Sequence, residues 1–271
     1  MIEITILGSG TSTGVPTIGC NCDVCRSTDP HDKRLRCSSM LKINGYKYLV
    51  DCGPDFRQQA LRSELTSIDA LILTHNHFDH VAGIDDLRFF KKFDLYALPH
   101  VIKAIHKSYS YIFSETNYVG AKPTIEEHVV SPSEQFILPG NVEVTPVVAD
   151  HISMRVLGFR IGDFAYLTDF KTIEPEELDK LKGVRCLILG VLRITEQHRS
   201  HLSLEEALRL LEKINPENAF FVHMSHGIGF HKEAERYLTE KLGHKKYHFA
   251  YDGMRIAIHD DGHVSVLPDC F

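Results

Sequence analysis

Three imidazoles and a carboxylate stand close together in Thr74-His75-Asn76-His77-Phe78-Asp79-His80, directly after the apolar run Leu71-Ile72-Leu73. All four are metal-ligand types. A turn leaving a strand can aim alternate side chains at one point while the next residues face another. On this reading His75 and His77 share one ion, and Asp79 and His80 begin a second site. A merely His-rich surface loop would not gather so many ligand types at a strand end. Two neighbouring ions suit hydrolysis at phosphorus or at a carbonyl carbon. They lower the pKa of a shared water, so that hydroxide is available near neutral pH, and they neutralise the developing charge.

The H-x-H-x-D-H run resembles the signature of the metallo-β-lactamase superfamily, and the resemblance spans nearly the whole chain. It implies an αββα sandwich of mixed sheets covered by helices. It also implies a lone His after a later strand, a bridging Asp after another, and a final His. The matching residues are His151 in Ala149-Asp150-His151, Asp169 in Leu167-Thr168-Asp169 and His223 in Phe221-Val222-His223. Asp169, reaching both ions, would set their separation at about 3.5 to 4 Å. Asp51, after Tyr48-Leu49-Val50, resembles the family's acid that orients a metal-bound His. It reads equally as a strand-end turn residue with Cys52-Gly53-Pro54.

Cys20, Cys22 and Cys25 supply three thiolates in C-x-C-x-x-C, in a chain with an odd total of seven cysteines. In a cytosolic chain such spacing reads as metal ligation before disulfides, the alternative being a redox or incidental cluster. Tetrahedral zinc wants a fourth ligand, and His226, three residues after His223, is the candidate. The loop resembles the zinc loop of the PhnP branch, the phosphoribosyl cyclic phosphodiesterases. Cys37, Cys52, Cys186 and Cys270 lack partner spacing and read as small hydrophobes. His201 lies two residues before Ser203, which with Glu206 forms a capping box. It therefore stands near a helix N-terminus, where an anion is favoured. In the PhnP and RNase Z branches a His at the comparable place reaches the scissile phosphate. That resemblance gives His201 the role of leaving-group acid or phosphate holder, with Asp79 beside it in the catalytic set. His198 and Arg199 mark an exposed loop. His100, His106, His128, His231, His244, His248, His259 and His263 carry no spacing signal. Most read as solvated, with His231 near the His223 loop.

The elements that must position these residues follow from periodicity. Ile2, Ile4 and Ile6 alternate with polar residues as a half-buried strand and break at Gly8-Ser9-Gly10, which lacks the G-x-G-x-x-G spacing of a dinucleotide loop. A loop of about twenty residues follows, at about 8–28; loops this long are usually functional or held by something, and zinc would be the holder. Strand patterns recur at Ser39–Ile43, Tyr46–Val50, Ala70–Leu73, Val142–Val148, Arg155–Ile161, Phe164–Leu167, Cys186–Val191, Ala219–Val222 and Met254–Ile258. Helical patterns lie at Phe56–Glu64, Val81–Lys91, Val101–Phe113, Glu174–Leu181, Ser203–Lys213 and Lys232–Lys241. No linker or charge block divides the chain, so the expectation is one domain over 1–271.

The 43% hydrophobic and 24% charged residues exclude a disordered or fibrous chain. No apolar run approaches the roughly 18 residues that span a bilayer, and no basic segment opens the chain, so the expected location is the cytoplasm. A net charge of −6 gives no global field for polyanions. The expectation is a metal-dependent phosphodiesterase acting on a small, even cyclic, diester through a hydroxide bridging two divalent ions (Zn, Mn or Fe), with one structural Zn. Nucleic acid and membrane are not expected partners, and a homo-oligomer stays open. The alternatives are tRNA 3′-end cleavage of the RNase Z type, a carrier role of the pyrroloquinoline quinone type, and thioester or lactone hydrolysis.

Overall fold

Alternation does place the first strand, β1 (Ile2–Gly8), which leads into an irregular stretch holding the short α1 (Asp23–Arg26). The chain returns as a hairpin of β2 (Ser38–Ile43) and β3 (Tyr46–Val50). Its turn is Asn44-Gly45, both at positive φ, which matches the right-handed twist of the flanking strands. Next come α2 (Phe56–Arg62), β4 (Ala70–Ile72), the one-turn α3 (Phe78–Val81), a 3-10 helix at Ile84–Phe89 and β5 (Phe93–Ala97). α4 (Pro99–Ser108) and α5 (Ser110–Phe113) precede β6 (Ile125–Val129). A meander then runs through β7 (Phe136–Leu138), β8 (Val142–His151), β9 (Met154–Ile161) and β10 (Phe164–Leu167). Parallel strands follow with helices between them: α6 (Pro175–Asp179), β11 (Cys186–Gly190), α7 (Leu204–Ile214), β12 (Asn218–Val222), α8 (His231–Leu242) and β13 (Tyr247–Phe249). β14 (Arg255–Ile258) and β15 (Val264–Leu267) rejoin the first sheet. The structure, a computed structural model, describes residues 1–114, 119–243 and 246–268; His244 and Cys270 lie outside the described residues.

One sheet has the order β15-β14-β1-β2-β3-β4-β5-β6, the other β13-β12-β11-β10-β9-β8-β7. Both are mixed, with β3 to β6 and β10 to β13 parallel in their sheets. The period of two sorts the second sheet's side chains. Phe164, Tyr166, Phe220 and Val222 join the core shared with the first sheet. Ala165, Leu167, Ala219 and Phe221 face the cluster holding Leu204, Ala207 and Leu211 of α7 and Ala234 and Leu238 of α8. Strands buried on both faces read as continuous apolar runs, as these do. This is the αββα sandwich of the metallo-β-lactamase fold. Among the described residues no helix is long and apolar enough to cross a membrane.

Two helices differ from the sequence reading. The pattern over Val81–Lys91 is the end of α3 plus the 3-10 helix. Its apolar residues Ile84, Leu87 and Phe90 recur every three positions, the 3-10 period. The pattern over Val101–Phe113 is α4 and α5, broken at Tyr109. Strands β5, β6, β7, β13 and β15 were not anticipated, and the irregular stretch after β1 runs to Ser38.

Candidate metal centres and the adjoining cleft

Strand ends from both sheets meet at one place. After β4 the chain runs through buried Leu73, Thr74 and His75, and the Thr74 carbonyl accepts the Leu157 N–H of β9 at 2.8 Å, tying the sheets together there. His77 precedes α3, whose single turn carries Asp79 and His80. β8 ends in His151, β10 leads through Thr168 to Asp169, and β12 leads to His223. Two donor sets result: His75, His77, His151 and Asp169, and Asp79, His80, Asp169 and His223. Within each set the ligand atoms lie within 4.8 Å of one another. Asp169 belongs to both. Its Oδ2 is 3.5 Å from His75 Nε2 and 3.2 Å from His80 Nε2, and its Oδ1 is 2.8 Å from His223 Nε2.

Asp51 is both a strand-end turn and an orienting acid. Its carboxylate accepts the Thr74 N–H and the Thr74 hydroxyl, each at 2.8 Å, and the His80 Nδ1–H at 2.7 Å. Because the Thr74 hydroxyl proton goes to Asp51, its oxygen accepts from His75 Nδ1 at 2.9 Å. His151 Nδ1 donates to the Ser200 carbonyl at 3.0 Å. These bonds fix three tautomers, leaving the Nε2 lone pairs of His75, His80 and His151 aimed inward. Buried His80 Nε2, His223 Nε2 and Asp79 Oδ2 make no well-formed hydrogen bond and crowd one another and Asp169 at 2.8 to 3.6 Å. Clustered, buried and unpaired acceptors are costly, and a divalent cation is what satisfies them. The residues therefore fit the metal ions that the fold implies.

The charges lean on one another accordingly. Burial alone would lower His80, but Asp51 and Asp169 outweigh it and raise its pKa well above the usual value. Burial, with His80 nearby, pushes His75 well down. Asp79 and Asp169, though buried, are held below the usual carboxylate range by His223 and His80. Burial raises Asp51 against its bonds to His80 and Thr74. Asp51→Asn is expected to disturb His80 directly and His75 through Thr74, weakening retention of both ions about 10- to 100-fold. Chelator competition measures this, and undiminished retention would contradict the relay.

Backbone geometry at the centre is unusual. Asp51, Asp169 and His223 have φ of 58°, 52° and 60°, the left-handed region that most side chains avoid. Each kinks the chain just beyond a strand, which swings its side chain into the gap between the sheets. Gly53 is needed for a different reason: a Cβ there would lie 2.0 Å from the Asp79 carbonyl oxygen, so only glycine lets α3 sit against the Asp51 turn.

In the N-terminal loop, Sγ of Cys20, Cys22 and Cys25 each lie 3.4 Å from His226 Nδ1. Zinc bonds of about 2.3 Å to sulfur and 2.0 Å to nitrogen give a tetrahedral edge of about 3.5 Å, so this donor set fits zinc. A backbone bond from Cys25 lowers the exposed Cys22 thiol to about 6, and burial raises Cys25. The loop leaves β1 beside β12's end, where Thr11 N–H donates to Met224 O at 3.0 Å and Met224 N–H to Ser9 O at 2.9 Å. Beneath it Arg34, buried, donates to Ser9 Oγ at 2.9 Å and Ala250 O at 2.7 Å, and Ser9 Oγ donates to Asp252. His231 is buried against this Arg34 rather than solvated or lining the cleft.

A cleft of about 430 Å³ is lined by Thr11, Ser12 and Thr13 of the N-terminal loop together with Arg193, His198, His201 and His226. His201 stacks on His223, with ring centroids 4.9 Å apart, and its Nδ1 is 3.9 Å from Asp169 Oδ1. Burial and His223 hold its pKa down to about 3. Lys171, two residues after Asp169, holds the His201 carbonyl at 3.3 Å and Glu206 at 2.6 Å. Glu206 closes the capping box with Ser203. Thr74, Lys171, Arg193 and the Ser200 carbonyl were missed from sequence. Only Thr74 left a signal, its place between an apolar strand and the first His.

This sandwich, with histidines and carboxylates gathered at its strand ends, defines a protein of the metallo-β-lactamase class. The family model for the beta-lactamase superfamily domain matches residues 46–224, a range that holds both His/Asp donor sets but none of the zinc-loop cysteines. Within that superfamily the chain belongs to the PhnP family. The crystal structure of a new diphosphatase from the PhnP family is 36% identical, covers 96% of this chain and 98% of that one, and superposes with a TM-score of 0.85. The octanoyltransferase of Porphyromonas gingivalis W83 is 40% identical over 261 residues, which are 95% of this chain and 52% of that protein. The chain thus spans about half the length of that relative. Zn(2+)-bound PqqB from Methylobacterium extorquens, 19% identical, shares the fold at a TM-score of 0.78 over 94% of this chain and 99% of that one.

Proposed function

We propose that the protein is a binuclear metal-dependent hydrolase of small phosphodiesters, cyclic ones included, with a separate structural zinc in the cysteine loop. The observation that carries the reading is Asp169, whose carboxylate serves both donor sets while His201 stands beside it and lines the cleft. Two divalent ions held there, Zn, Mn or Fe, would supply Lewis acidity and a water of lowered pKa. The chain's own residues do the rest. Asp51 and Thr74 hold His80 and His75 in one tautomer, and Ser200 does the same for His151. His201 offers an N–H to a phosphate oxygen or to the departing oxygen. The hydroxyls of Thr11, Ser12 and Thr13 with Arg193 make a polar cleft suited to a small hydrophilic anion. The diphosphatase activity of the PhnP-family neighbour supports phosphorus over a carbonyl centre.

His201→Ala separates its two roles. Turnover of diesters with poor leaving groups should fall about 100-fold or more, and that of nitrophenyl diesters about tenfold at most, because a good leaving group scarcely needs a proton. Equal losses would assign His201 to holding phosphate. Efficient cleavage of precursor tRNA, a lactone or a thioester with no activity on small diesters would overturn the substrate class.

A further inference from the structure

Four imidazoles stack in a column from the rim of the cleft into the core. His198 lies on His201 with centroids 5.1 Å apart, His201 on His223 at 4.9 Å, and His223 on His80 at 5.7 Å, all within 28° of parallel. His198 belongs to neither donor set. Its Nδ1 lies 3.0 Å from Ser200 Oγ and accepts the Ser200 N–H at 3.3 Å. The Ser200 carbonyl in turn orients His151, and the next residue is His201.

The segment around these residues has little else to hold it. Among the described residues, 194–201 make no backbone–backbone hydrogen bond, although the Leu192 and Leu204 amides secure its two ends. The turn is held from inside by side chains, by His198 on Ser200 and by Lys171 on the His201 carbonyl. Lys171 has a second anchor in Glu206, whereas among the described residues Ser200, whose carbonyl faces His151, is otherwise hydrogen-bonded only by His198.

We propose that His198 is a positioning residue. Its Nδ1 locks Ser200 so that the Ser200 carbonyl presents His151 to the ion shared with His75 and His77. The exposed-loop histidine of the sequence reading thereby becomes part of the support of the metal centre. This inference rests on the binuclear reading above, and its test keeps the two apart.

The experiment compares metal-loaded wild type with His198→Ala, His198→Phe and His198→Asn. It measures ions retained per chain against a chelator, and kcat and KM for bis(nitrophenyl) phosphate. Ala and Phe, which both lack the acceptor, should weaken retention of one equivalent about 10- to 100-fold and lower kcat with little change in KM. Asn places an amide oxygen near the position of Nδ1 and should restore retention to within about threefold of wild type. Retention by the Phe variant equal to wild type would show that the ring's packing suffices and would overturn the inference. So would undisturbed retention in the Ala variant, or a loss in Asn as large as in Ala. Should the Ala variant not fold, the Phe and Asn pair decides alone. A wild type that holds no ion pair would instead refute the binuclear reading.

Discussion

Asp79→Ala is expected to cut turnover of a phosphodiester by about three orders of magnitude, about 4 kcal/mol in the barrier, while the fold persists. Asp79 Oδ2 lies 3.2 Å from His80 Nε2 and 3.6 Å from His223 Nε2, and Asp79 belongs to one donor set only. Removing it should cost the ion of that set far more than the ion held by His75, His77 and His151. Asp169→Asn makes the contrast, since Asp169 serves both sets and its loss should weaken both. Metal content per chain after dialysis, set beside kcat, distinguishes the two variants. Full activity of Asp79→Ala with both ions retained would show that the donor sets are wrongly drawn.

Cys22→Ser is expected to remove one zinc equivalent without touching the ions proposed for the His/Asp donor sets. Cys22 is the informative choice because its side chain is exposed, so little packing is lost with the thiolate, unlike at buried Cys25. Zinc binds the folded loop and not the unfolded chain, so at free zinc 100-fold above its Kd the linkage contributes about 2.7 kcal/mol. In a chain of this size that is a fall of about 5 to 10 °C in Tm, read by calorimetry with and without zinc. Activity should fall as well, because the loop forms a wall of the cleft. A variant with unchanged zinc content and Tm would remove the loop from the account of stability.

What could be read from the sequence was what is written locally. The H-x-H-x-D-H run packs four ligand side chains at one strand end, and the capping box at Ser203 placed the start of α7. His151, Asp169 and His223 are single residues far apart, and only the family resemblance picked them out; the fold brings them to one point. Illegible were the contacts made by groups without residue identity. The Ser200 carbonyl that orients His151 is a backbone atom, and Thr74 acts through a hydroxyl that many buried threonines carry. Edge and very short strands were lost for a related reason. Glu126, Glu127 and His128 of β6 give no alternation because little of that strand is buried, and β7 and β13 span three residues each. The helix read over Val81–Lys91 fails at Gly83, whose N–H donates to the Cys52 carbonyl at 2.8 Å rather than to an acceptor within the helix. The chain there must pass too close to the Asp51 turn for a regular helix.

The left-handed backbone at Asp51, Asp169 and His223 restricts which residues can ever replace them. Each position is screened twice, once for a donor atom and once for a conformation that costs an ordinary L-residue about 1 to 2 kcal/mol. Asp, Asn and His pass the second screen most readily among donor-bearing types. Glutamate and cysteine, equally able to bind a metal, do not. Drift among metal preferences in this fold is thereby channelled through a narrow alphabet at three of its corners. His75, His77 and His80, on ordinary backbone, are free of that second screen, so new coordination chemistry has its easiest entry on the α3 side of the centre.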